Sequence, residues 1–300
     1  AEAKTGGYGP AAEEDDEGQP WVISMVGSFR PFFAELIGTF LVALVAIGTA
    51  IVAAILSEEE LTLERLLITG LAYGSAWGSV FYCLSFVHIS NMQAAGMVAV
   101  ELNLRHLNPG ISISIYLLEL TGGLHLGPTA KRFMLTTCIY YLIAQFLGSL
   151  LGTYVALNLV PGAYDSAVYA TMEGVTDQMR WVTGVLVSST FMLVVITVCY
   201  TQHAKTEILS HRFHAKMIQE SSGQSSHEVN SLVAMGTLMS ASMASYAISG
   251  GFLNPFFAVS LDALSVGYNP VLTWSPLLSA LGTVVIVWMY RLSGNTSLFK

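Results

Sequence analysis

Charged side chains are scarce in this chain. Asp, Glu, Lys and Arg make up 11% of its 300 residues, apolar types make up 53%, and the mean hydropathy is +0.60. A soluble domain carries about 25% charged residues. A deficit of that size points to a solvent other than water, and so to a multi-pass membrane protein. Basic residues are the scarcer sign, 12 against 20 acidic ones. They form no stripe that could meet phosphates, which excludes nucleic acid as a partner. The net charge of −8 sits mostly outside the apolar runs, chiefly in Glu13 to Glu17 and Glu58 to Glu60. Cysteine is scarce too: Cys83, Cys138 and Cys199 lie dispersed in apolar runs. An odd, scattered set argues against a disulfide framework and has no metal-ligand spacing, so these read as small buried hydrophobes. No nucleophile–base set and no phosphate loop occurs, so the sequence predicts neither an enzyme nor a cofactor.

What is present is long apolar runs. Six are long enough to cross a hydrocarbon core, which needs roughly 20 apolar residues: about Pro31–Leu56, Leu66–Ser90, Phe133–Leu159, Trp181–Thr201, Ser231–Ser249 and Thr273–Leu292. Before them, residues 1–19 are acidic and Gly-rich and read as a disordered or partner-bound arm, leaving 20–300 as one membrane domain. The chain opens at Ala1 without a methionine, as a processed or shortened chain would. With both termini on the cytoplasmic or equivalent side, Lys4, Arg30, Arg105, Lys131, Arg132, Lys205, Arg212, Lys216, Arg291 and Lys300 share that side, and only Arg65 and Arg180 oppose them. That bias supports an even number of spans. Gly148 and Gly152 form a GxxxG pattern suited to close helix packing.

Two shorter apolar runs, Pro109–Leu118 and Pro255–Leu264, lie between spans two and three and between spans five and six. Each follows an Asn-Pro pair, Asn108-Pro109 and Asn254-Pro255. Asn is a good helix cap and Pro fits the first helical position, so both read as half-helices too short to cross alone. Interrupted apolar segments in matching halves point to a midplane solute site on an inverted repeat. The halves also echo one another, Ala34 to Leu41 against Val185 to Met192 and Gln145 to Gly152 against Ser275 to Gly282.

With Phe33-Ala34-Glu35-Leu36-Ile37-Gly38-Thr39, Ile143-Ala144-Gln145-Phe146-Leu147-Gly148, the two Asn-Pro segments and Trp274-Ser275-Pro276-Leu277-Leu278 in this order, the chain from Phe32 to Met289 resembles the aquaporin and glycerol-facilitator family, as a divergent member. The resemblance implies an all-α membrane fold of six transmembrane helices plus two re-entrant half-helices in an inverted repeat, the first repeat about 31–159 and the second about 181–292. It implies half-helix tips meeting at the membrane centre, where Asn108 and Asn254 donate to a passing oxygen as well as capping their helices. It implies that Glu35 accepts hydrogen bonds from re-entrant backbone, with Gln145 serving loop backbone in the same way. It also implies a homotetramer, the alternative being a subunit of a membrane assembly.

Several positions depart from the family pattern. The acid expected in the second half is Leu186. The third residue of each Asn-Pro motif, normally Ala, is Gly110 in one half and Phe256 in the other. Phe257 stands where the family has a filter arginine, and alignment puts Tyr73, about Ser242 and Gly251 at the other filter positions. Such a filter is apolar and poor in donors: it either passes less polar solutes with low water permeability, or blocks conduction. Asn91 to Arg105 is an insertion that is either an extra helical turn or plug, or a packed surface loop. Gln202 to Glu228 reads as a long polar inner loop, solvated, partner-binding or gating; a metal site at His203, His211, His214 and His227 is the lesser reading. The function expected is passive movement of water or a small neutral solute. The rival is a pore-inactive structural subunit. A secondary transporter ranks third, since Glu35 is the sole charged midplane residue.

Overall fold

A computed structural model describes residues 21–58, 60–94, 106–122, 135–165, 168, 172–212, 216–264 and 270–292. The acidic arm at 1–19 and the 95–105 part of the insertion lie outside them. Among the described residues eight α-helices follow one another: α1 (Trp21–Leu56), α2 (Leu63–Ala94), α3 (Pro109–Leu120), α4 (Leu135–Leu159), α5 (Asp177–Arg212), α6 (Lys216–Ser249), α7 (Pro255–Leu264) and α8 (Pro270–Leu292), with one 3-10 turn at Ala163–Asp165. The chain divides into compact units Ala1–Arg30 and Pro31–Lys300. In the first, residues 21–30 are helical; the second holds all the spans.

Among the described residues six helical stretches are long and apolar enough to cross a bilayer: Pro31–Leu56, Leu63–Leu84, Leu135–Leu159, Asp177–Val198, Val229–Ser249 and Thr273–Tyr290. Their outward faces carry exposed Leu, Ile, Val and Met, as lipid allows and water does not. The chain is a multi-pass membrane protein.

The expected inner loop needs correction. Residues 202–212 and 216–228 are not an open loop: α5 continues helical to Arg212 and α6 begins at Lys216. The physical reason is the absence of proline, the strongest helix breaker. No proline occurs between Pro161 and Pro255, and Gln, Lys, Glu, Ala and Leu in this stretch are good helix formers. A helix already nucleated in the bilayer extends at one hydrogen bond per residue fixed. For the same reason α2 runs to Ala94, into the first residues of the insertion.

The spans pack through small residues. Gly148 and Gly152 of α4 lie against the carbonyls of Leu36 and Phe40 of α1, and a β-carbon at either would collide with them. Along the α2–α6 contact, Gly70, Gly74 and Gly78 receive Met243, Met239 and Met235. Buried hydroxyls bond within their own helices, Ser114 to the Gly110 carbonyl (2.7 Å) and Ser245 to that of Ala241 (2.8 Å), so they do not hinder packing. The half-helices lie inside: α3 packs on α4 and α8, and α7 packs on the same two.

Candidate functional site

The two half-helix tips hold each other. Asn108 is extended (φ −156°, ψ 124°) and its Oδ1 accepts from the Gly110 N–H at 2.8 Å; Asn254 Oδ1 accepts from the Phe256 N–H at 3.0 Å. Each amide then donates across: Asn108 Nδ2 to the Leu253 carbonyl and Asn254 Nδ2 to the Leu107 carbonyl, both at 3.0 Å. A carboxamide has two N–H groups, so each side chain keeps one N–H outside these bonds. Pro109 and Pro255 take the first helical position, where the missing N–H has no use. Two helix N-termini, each worth roughly half a positive charge, thus face one another.

Glu35 is 1% exposed and carries the first re-entrant loop. Its Oε1 accepts from the His106 N–H (2.6 Å), and its Oε2 from the Leu107 N–H (2.8 Å) and Gln145 Nε2 (2.6 Å). Charge-assisted bonds of this kind are about twice as strong as neutral ones. They hold Leu107 at φ 50°, a left-handed conformation that costs a side-chain-bearing residue. Gln145 was expected to serve loop backbone; instead its Nε2 bonds the Glu35 carboxylate and Ser112 Oγ (3.0 Å), which in turn meets His106 Nδ1 (2.8 Å).

The second loop is built differently. Leu186 is 61% exposed and turned away from it, and Ser275, in the place of Gln145, has a buried hydroxyl without a hydrogen-bond partner. Here the turn rests on Gly250 and Gly251, at φ 77° and 73°, with the Gly250 N–H bonded to the Tyr246 carbonyl at 2.9 Å. Glycine enters this region without the cost paid at Leu107.

The departures after each Asn have local partners. The tip of Met192, from α5, fills the space a β-carbon at Gly110 would need. Phe256 sits edge-on to Phe146 of α4, ring centroids 5.5 Å apart.

The four positions expected at the filter form two pairs. Tyr73 and Phe257 are 5.6 Å apart by ring centroids, and Gly251 is closely backed by the Ser242 carbonyl and hydroxyl. Ser242 Oγ is buried without a hydrogen-bond partner. Sequence reasoning missed Phe252, whose ring lies 6.3 Å from Tyr73 and 6.4 Å from Phe257. It also missed the continuation below: Trp77 stacks on Phe81 (4.8 Å) and meets Phe191 edge-on (5.6 Å). The signal was available, since 73, 77 and 81 recur at helical spacing on one face of α2. All six rings are at most 7% exposed.

Arg65, one of the two cations on the sparse side, is a further residue the sequence reading passed over. It is 1% exposed and joins three segments: Nε donates to Tyr246 Oη (3.2 Å), and its Nη groups donate to the carbonyls of Glu60 and Val168 (both 3.3 Å). Tyr246 Oη donates on to the same Val168 carbonyl at 3.3 Å. Among the described residues no group of three His, Cys, Asp or Glu could hold a metal ion; the side chains of His203, His211, His214 and His227 lie outside them.

No protein-family model matches the chain, and no curated protein matches it. Among solved structures it is similar to the X-ray structure of the aquaglyceroporin from Plasmodium falciparum, with a TM-score of 0.57 and 17% identity over 90% of this chain and 98% of that one. At that identity the likeness is one of fold, and the fold is aquaporin-like: an all-α membrane protein with six spanning helices and two short apolar ones between them.

Proposed function

We propose that the chain is a passive membrane channel for small neutral solutes, with low water permeability, and not an enzyme. The observation that carries this reading is the crossed pair Asn108 and Asn254, each with one amide N–H left over where two positive helix ends meet. A neutral solute oxygen finds two donors there, while a cation is repelled. The fold it shares with an aquaglyceroporin supports the same class. The helix contacts support an inverted repeat: exchanging α3 for α7 and α4 for α8 maps α3–α8 onto α7–α4 and α3–α4 onto α7–α8. The basic asymmetry of the sequence supports termini on one cytoplasmic or equivalent side.

Tyr73, Ser242, Gly251 and Phe257 form the selective constriction in this reading, joined by Phe252. Three rings and few donors there disfavour water, which gives up hydrogen bonds without recovering them. The same rings favour a second reading, a pore-inactive subunit of a membrane assembly, because Trp77, Phe81 and Phe191 prolong the aromatic column. Osmotic shrinkage of proteoliposomes in water, glycerol and urea gradients tests the two. Slow water flow with measurable solute entry supports the channel; silence to every solute supports the subunit, and fast water flow overturns the proposed constriction.

A further inference from the structure

α1 and α4 press backbone to backbone at one end and approach less closely at the other. Leu36 and Phe40 press on Gly148 and Gly152, but two turns further along, the nearest atom to a β-carbon at Gly48 is Cβ of Ala156, at an ordinary contact distance of 3.7 Å. Beside this looser contact lies a groove of about 650 Å³, closed on its third side by the start of α2. Val45, Gly48, Val52, Ile68, Ala156 and Leu159 make its walls apolar, and it ends at Ser57, Thr62 and Glu64. Along α1 it runs from Leu44 to Leu56, twelve steps of 1.5 Å or ~18 Å. That is about half of a bilayer of roughly 40–45 Å with its headgroups. A groove one leaflet deep, apolar along its length and polar at one end, has the profile of a phospholipid.

Glu64 and Arg65 both line its polar end, but the charge exposed there is negative. Glu64 is exposed, and Glu58 and Glu60 stand exposed on the adjoining link. The Arg65 guanidinium is turned inward, onto Tyr246, the Glu60 carbonyl and Val168. An anionic headgroup would meet like charge there, while a quaternary or primary ammonium would meet its complement. We propose that this groove binds one phospholipid with a zwitterionic headgroup, an acyl chain laid along α1 and the ammonium against Glu60 and Glu64. The site is independent of conduction.

The test uses the full chain in detergent, with phosphatidylcholine or phosphatidylglycerol of identical acyl chains, and native mass spectrometry to count bound lipid. Phosphatidylcholine should be retained up to about fivefold better, the most that one exposed ion pair gives. Gly48→Leu should cut its retention to the phosphatidylglycerol level with the lipid-free melting temperature unchanged, because no atom stands close enough to Gly48 to clash with a β-carbon. Glu60→Lys combined with Glu64→Lys should reverse the preference, and as a surface change it keeps the test decisive should Gly48→Leu fold poorly. Equal retention of the two lipids overturns the proposal, as does a charge-reversed variant that still prefers phosphatidylcholine. A lipid-free dimer cross-linked through Ile68 and Leu159 would give the groove to a second copy of the chain and overturn it too.

Discussion

The end of the Met192 side chain occupies the place of a β-carbon at residue 110, so the missing methyl of one half-helix is supplied from α5. Met192 is fully buried, and its sulfur also meets the hydroxyls of Ser114 (3.8 Å) and Ser279 (3.2 Å). Gly110→Ala alone should therefore destabilise the protein by about 1 kcal/mol, the low end for overpacking, because the obstructing atom ends a flexible chain. Adding Met192→Val should recover most of the loss. Thermal melts of the two variants check this; equal melting temperatures for the single and double variants would refute the pairing.

Glu35→Leu removes the acceptor of two backbone N–H groups and of Gln145 in a dry site. Each orphaned group costs roughly 1–3 kcal/mol, so expression and melting temperature should fall markedly. Glu35→Gln, which keeps one carbonyl oxygen and adds a competing N–H, should fall between. A Leu variant as stable as the parent would show that the first loop does not depend on its carboxylate.

Phe257→Ala takes one ring out of the Tyr73–Phe252–Phe257 group. If dehydration at that ring limits water, each ~1.4 kcal/mol of barrier removed raises flow about tenfold. We expect at least that rise in osmotic water permeability at matched protein density. Cation leak should stay low, because the helix ends at Asn108 and Asn254 are untouched. Unchanged water flow in a folded variant would move the barrier to Trp77 and Phe191.

Arg65→Met preserves volume but removes the donors that join the α1–α2 link, Val168 and Tyr246. A hydrogen bond from a charged group is worth about 1.5–3 kcal/mol. We expect a loss of about that size, since the exposed Glu60 can turn its carbonyl to water. Tyr246→Phe should cost about 1 kcal/mol. Faster proteolysis within residues 161–176 than in the parent is the companion readout.

Residues whose chemistry leaves few options were legible in the sequence. Asn-Pro before a ten-residue apolar run can cap and start a half-helix and do little else, and α7 runs over the expected residues while α3 gains two at its end. A carboxylate in a span needs donors, and Glu35 found them in the predicted loop. What escaped depended on partners distant in the chain. Nothing local tells that Met192 fills the notch at Gly110, or that Trp77 meets Phe191. Arg65 showed only as an odd charge on the sparse side, because its partners, Tyr246 and Val168, are 181 and 103 residues away. The 202–228 stretch misled because polarity was read as loop, whereas a polar run without proline can extend a helix already begun.

The crossed amides also bear on how the chain is made. The Leu107 carbonyl waits for a donor 147 residues downstream. At about 5–20 residues per second, the ribosome needs roughly 7–30 s to deliver it. Throughout that time the first half-helix lacks its opposite number and the Leu107 carbonyl lacks its permanent partner.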